Sequence, residues 1–217
     1  MLFRSTLAKK MVDKDGTIDI FEVFAVLFTF CGGMFEPKLR ELFILFDFDG
    51  SGEIDFSESL LRRVSLLAGV SVTALDEVRE SITLTNGAEE LISDLQARGD
   101  LVAVVSGGFT EVISPKLDTL KISRYRANSL EIIDGKLSGK VQGKIIDRQA
   151  KAEFLREIAS SSGIPISDTV AIGDGANDID MIQTAGIGIA FCAKPALIEV
   201  ADRVINTRDL REVLKVI

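Results

Sequence analysis

Histidine and tryptophan are absent from the 217 residues, tyrosine occurs once, cysteine twice and proline four times. Without histidine, Ser-His-Asp triads, Cys-His pairs and His-ligated zinc or haem are excluded, so acid–base work falls to Asp, Glu, Lys, Tyr125 or a thiol. Cys31 and Cys192 stand far apart with no CxxC pattern, which suits a reducing cytosol, and a cytoplasmic location is expected. Basic residues are the scarcer charge, 25 Lys plus Arg against 33 Asp plus Glu, and a formal charge of -8 is the wrong sign for gripping nucleic acid. Long apolar runs are missing too. The most apolar stretch, Val23 to Cys31, falls well short of the roughly 20 residues a membrane span requires, and no apolar h-region follows the first basic residues. No membrane association is expected. What the chain does contain, 47% hydrophobic and 27% charged residues, is enough to bury a core in one domain or two small ones.

Phenylalanine divides the sequence, with ten of 13 before residue 57. In the early part apolar residues recur at helical spacing around two acidic, Gly-containing loops. SESLLRRVSLLAG and SVTALDEVRES read as two more helices, the second with a Thr73 to Asp76 capping spacing. After Leu84 the pattern alternates. Helices are expected over 87–98, 111–120, 148–160 and 176–184, buried strands over 101–105, 169–172 and 187–191, and a hairpin around Asp134-Gly135. β-branched strands between amphipathic helices predict an α/β fold, a Rossmann-like doubly wound parallel sheet. The expected division is a helical module over 1–58, a remnant of a helical cap over 59–83 and the α/β domain over 84–217.

In such a sheet ligands sit beyond the carboxyl ends of the strands. Ser106, Gly107 and Gly108 follow one strand, where a hydroxyl and backbone N–H groups suit phosphate oxygens. AIGDGANDIDM places Asp174 and Asp178 around a Gly175 turn, suited to oxygen ligation of Mg2+. Lys151, at the start of a helix, is placed to offset the charge of a transferring phosphoryl group. Each alone is as easily a turn or a solvated side chain.

In this order, VVSGGFTEVI, NSLEIIDGKLSGKVQGKIIDRQAKAEFL and TVAIGDGANDIDMIQTAGIGIAFCAKP resemble motifs II, III and IV of the haloacid dehalogenase superfamily. With ITLTNGAEELISDLQARG and GEIDFSESLLRRVSLLAG they resemble its phosphoserine phosphatases over residues 52–217, Asn86 replacing the usual proline. The resemblance implies a Mg2+-dependent hydrolase of a small phosphorylated substrate, O-phospho-L-serine, acting in the last step of serine biosynthesis. Ser106, Gly107, Gly108 and Lys151 would hold the phosphoryl group, Asp174 and Asp178 the metal loop together with Asn177, and Phe56 and Arg63 the substrate from the cap. Oligomeric state is left open.

The family also needs an Asp nucleophile and a second Asp two residues on as acid and base, in a DxDx(T/V) motif. Asp13-Lys14-Asp15-Gly16-Thr17 has the residues and the spacing, with Glu22 where the family binds the substrate amino group, but Lys9 and Lys10 would occupy a buried strand. Asp47-Phe48-Asp49 follows a better strand at the wrong spacing. Asp13 and Asp15 are the choice for catalysis. The second loop also fits an EF-hand, with Asp47, Asp49, Ser51, Glu53, Asp55 and Glu58 as Ca2+ ligands; MVDKDGTIDIFE fits less well, with Met11 in place of the first carboxylate. Residues 1–58 thus resemble an EF-hand pair, and the alternative function is a Ca2+-binding protein carrying an inactive phosphatase domain.

Overall fold

The computed structural model describes residues 56–217. Asp13, Asp15, Glu22, Asp47, Asp49, Ser51, Glu53 and Asp55, and with them most of the EF-hand pattern, lie outside the described residues. The described residues fall into two compact units, one of 56–83, 108–115 and 129–143, the other of 84–107, 116–128 and 144–217.

In the first unit, α1 (Phe56–Ser65) buries Leu60, Arg63 and Val64, and α2 (Ala74–Ser81) buries Leu75 and Val78. The first helix ends four residues before the predicted Gly69. The Thr73 cap does not form: Thr73 has helical dihedrals and its hydroxyl pairs with Ser71 Oγ at 2.9 Å. β2 (Arg124–Ile133) and β3 (Lys136–Gln142) make the expected antiparallel hairpin, whose two-residue turn has positive φ at both Asp134 (50°) and Gly135 (72°), as a type I′ turn requires. β3 packs on α1 at Gly139, where an added Cβ would meet Ala68 Cβ at 2.9 Å. Pro115 sits inside α4 (Thr110–Thr119), where the missing N–H would orphan the Glu111 carbonyl. Arg79 Nε donates to that carbonyl at 2.7 Å instead.

The second unit is layered. β4 (Val170–Gly173), β5 (Ile187–Phe191) and β6 (Arg203–Ile205) form a parallel sheet. Side chains alternate between its faces. On one face Ala171 and Ala190 pack with Met181 and Ile182 of α6 (Ile179–Thr184) and Leu197 of α7 (Pro195–Ile198). On the other, Ile189 and Ile205 pack with Leu91 of α3 (Ala88–Arg98) and Val213 of the 3-10 turn Leu210–Lys215. α3 stops at Gly99, whose φ of 87° lets its N–H cap the last carbonyls. α5 (Arg148–Ser161) starts at Asp147, whose side chain accepts from Ala150 N at 2.8 Å.

β1 (Ala103–Phe109) begins two residues later than predicted and belongs to a second three-stranded sheet, ordered β1-β2-β3. Among the described residues no ladder joins β1 to β4. Within the second unit a cleft of about 780 Å³ is lined among others by Val104, Val105, Phe154, Val170, Ile172 and Val213. No helix among the described residues is long and apolar enough to cross a membrane.

Candidate active site

The centre of the site is a buried ion pair. Lys151, in the first turn of α5, reaches Asp178 with Nζ 2.6 Å from Oδ1, and each side chain is only 7% exposed. Asp147 fixes where α5 begins and therefore where Lys151 points; the predicted helix over 176–184 is split into a 3-10 turn, Ala176–Asp178, followed by α6. The tighter turn carries Asp178 back under the end of β4. There its Oδ2 accepts from the backbone N–H of Asp174 (3.2 Å) and of Gly175 (3.3 Å). Gly173 permits this approach, since a Cβ there would lie 2.5 Å from Asp178 Cβ.

Both Asp178 oxygens are hydrogen-bonded, and Asp174 lies exposed just past the end of β4, with its carbonyl accepting from Lys194 N at 2.9 Å. A hard oxygen donor at a strand's carboxyl end, beside a carboxylate already balanced by an ammonium, fits a Mg2+ ion on Asp174 with Asp178 as its support. Asn177 is half-buried in the same turn.

Ser106 and Gly107 lie in β1 near its end, and Gly108 is buried next to them. A residue with no motif of its own ties this segment to α5. Asn128, in β2 and 1% exposed, donates from Nδ2 to the Gly107 carbonyl at 2.8 Å and accepts at Oδ1 from Ile146 N at 2.8 Å. Only its burial and two partners reveal it, since an asparagine within RYRANSLEII carries no periodic signal.

Phe56 and Arg63 belong to the other unit, on α1. Arg63 is 4% exposed, Nε donates to Ser59 O at 3.1 Å, and burial pulls its guanidinium below the ordinary arginine range. Glu58, the one proposed Ca2+ ligand among the described residues, pairs with Arg62 one helical turn on.

A family model described as haloacid dehalogenase-like hydrolase matches residues 11–183. The phosphoserine phosphatase of Methanocaldococcus jannaschii is 49% identical over 166 residues, 76% of this chain and 79% of that protein. That of Streptomyces coelicolor is 50% identical over 163 residues, 75% of this chain but 40% of the relative, so the chain spans about two fifths of that longer protein. A solved structure described as a phospho-aspartyl intermediate analogue of phosphoserine phosphatase superposes with a TM-score of 0.79 at 42% identity, over 92% of each chain.

Proposed function

The chain belongs to the haloacid dehalogenase-like hydrolases, and we propose that it hydrolyses O-phospho-L-serine to L-serine and phosphate through an aspartyl-phosphate. The observation that carries this reading is the buried Lys151–Asp178 pair beneath the Asp174 loop. Burying two charges is costly even when they are paired, so a pair held this deep adds little stability and is better accounted for by a role in the site.

The roles follow from chemistry. The Asp13 carboxylate attacks phosphorus while the bond to the serine oxygen breaks, and Asp15 gives that oxygen its proton. Asp15 then takes a proton from water, which attacks the phosphorus of the aspartyl-phosphate and frees phosphate and the Asp13 carboxylate. Ser106, Gly107 and Gly108 hold the phosphoryl oxygens and Lys151 offsets their charge. Asp174 is the residue assigned to hold Mg2+, whose charge, when bound, favours the crowded phosphoryl oxygens; Asp178 keeps Lys151 and the loop in place. Glu22, Phe56, Arg63 and Asn177 are assigned to the serine part of the substrate. Supporting Asp13 and Asp15 is the family match, which begins at residue 11. Residues 59–83 are proposed as cap, and 84–217 as the hydrolase domain. No observation on the described residues favours the Ca2+ reading, in which Glu58 would have to leave Arg62.

Phosphate release from L-phosphoserine, measured with and without Mg2+, tests the reading. Mg2+-dependent release that survives Asp47→Asn and disappears in Asp13→Asn is expected. Release by Asp13→Asn at the parent rate would remove the nucleophile assignment, and no release by the parent would remove the function.

A further inference from the structure

A carboxamide as buried as Asn128, 1% exposed, must satisfy both its donor and its acceptor inside the protein. It does so with two backbone groups that are distant in sequence, the Gly107 carbonyl and the Ile146 N–H, each at 2.8 Å. The amide has only one orientation that works, because a carbonyl needs a donor and an N–H an acceptor. The first partner lies in the Ser106-Gly107 segment. The second precedes Asp147, the residue that starts α5 and so sets the place of Lys151. A peptide unit is planar and trans, so turning the Gly107 carbonyl towards Asn128 points the N–H of the same plane the opposite way.

We propose that Asn128 is the positioning residue for the phosphoryl group, one side chain that aims the phosphate-holding peptide after Gly107 and at the same time fixes the lead-in to Lys151. This rests on the reading above, in which Ser106, Gly107 and Lys151 hold that group. With both polar atoms engaged and almost no exposed surface, Asn128 acts through these segments and does not touch the leaving group. Its loss therefore affects every phosphomonoester by the same factor, a pattern that a substrate contact does not produce; a merely structural role would instead lower the melting temperature and leave the phosphate affinity of the folded protein unchanged.

The test compares the parent with Asn128→Asp, which keeps the acceptor towards Ile146 and sets an oxygen against the Gly107 carbonyl. Turnover is measured in Mg2+ on L-phosphoserine and on p-nitrophenyl phosphate, with inorganic phosphate affinity measured by calorimetry and stability by thermal unfolding. A fall in kcat/KM on the order of 100-fold is expected, equal for the two substrates, since small misplacements of a reacting group cost about that much. Phosphate affinity should fall by about tenfold, the loss of one hydrogen bond. A loss confined to phosphoserine would make Asn128 a substrate contact and overturn the proposal. So would a lower melting temperature with phosphate affinity and kcat unchanged. If Asn128→Asp does not fold, Asn128→Gln, which carries the same groups one methylene further out, takes its place. A parent that turns over p-nitrophenyl phosphate but not phosphoserine refutes the substrate assignment alone and leaves this comparison standing; a parent that binds no phosphate overturns both.

Discussion

Breaking the Lys151–Asp178 pair from either side should cost stability unequally, and the inequality follows from what each partner keeps. In Asp178→Asn the Lys151 ammonium, its side chain only 7% exposed, loses the carboxylate 2.6 Å from Nζ. Leaving one charge of a buried pair uncompensated costs about 3–5 kcal/mol. In Lys151→Met the Asp178 carboxylate is stranded instead. That carboxylate, however, keeps the N–H groups of Asp174 and Gly175 at 3.2 and 3.3 Å. Hydrogen bonds to a charged group contribute roughly 1.5–3 kcal/mol at good geometry and less at these lengths. Lys151→Met should thus lose about 2–3 kcal/mol and Asp178→Asn about 3–4.5 kcal/mol, the second within and the first just below the range for breaking a buried pair from one side.

Urea unfolding of both single variants and of the double variant at pH 7 reads these losses. Losses under 1 kcal/mol in both single variants would refute the argument that the pair is buried and mutually dependent.

Asp174→Asn should abolish Mg2+-dependent phosphate release and leave the melting temperature within a degree or two of the parent, because an exposed carboxylate past a strand end adds little to the core; an active variant would remove Asp174 as the metal ligand. Cys192 holds φ at 46°, where a non-glycine residue costs roughly 1–2 kcal/mol, so Cys192→Gly should raise stability by about 1 kcal/mol in chemical denaturation. Asp209, held down at about 2 by the Arg211 guanidinium and by Arg211 N–H, should rise towards the ordinary carboxylate value in Arg211→Ala but stay below it, because that variant keeps the backbone N–H, as carboxyl NMR would show. A depressed carboxylate stabilises the fold above its unfolded value and loses that contribution as pH falls towards 2, so the parent and Arg211→Ala should converge in acid stability below that point.

The strands at Val170–Gly173 and Ile187–Phe191 were legible because Val-Ala-Ile and Ile-Gly-Ile-Ala runs between amphipathic helices have few other solutions, though Val170 is exposed rather than buried. Lys151, Asp174 and Asp178 could be proposed as phosphate-site residues because each stands in a short, ordered motif. The contact between Lys151 and Asp178 was not legible, because it depends on a 3-10 turn that brings residues 27 positions apart together, and periodicity reads the same segment as plain helix. β6 has three residues, too few for any period, and is strand only because Ala190 and Phe191 of β5 pair with it. Asn128 was invisible for the same non-local reason, its partners lying 21 and 18 residues away. The Thr73 cap failed because a nearer hydroxyl, Ser71, competes for the side chain.

The two acidic loops read two ways for a reason in the chemistry itself. An aspartyl-phosphate site needs two carboxylates one residue apart, then a turn that frees backbone N–H groups; a Ca2+ loop needs carboxylates at alternate positions around a glycine. Asp13-Lys14-Asp15-Gly16-Thr17 and Asp47-Phe48-Asp49-Gly50-Ser51 meet both descriptions, so residue type cannot separate them. What separates them is context. The family match spans 11–183 and so contains both loops, but it starts two residues ahead of Asp13, where a nucleophile-bearing first motif belongs. Lys9 and Lys10 oppose that assignment only if both enter a buried strand; the residues adjoining Asp13 are Met11 and Val12, and long lysine stems let a charge near a strand's edge reach water. Moving the motif to Asp47 would leave only Gly50 and Ser51 before GEIDF, and would place Asp49 three residues from Gly52. The chain between nucleophile and cap would then be too short to hold the helices the first segment's pattern predicts, which is why phosphate release should follow Asp13 and be indifferent to Asp47.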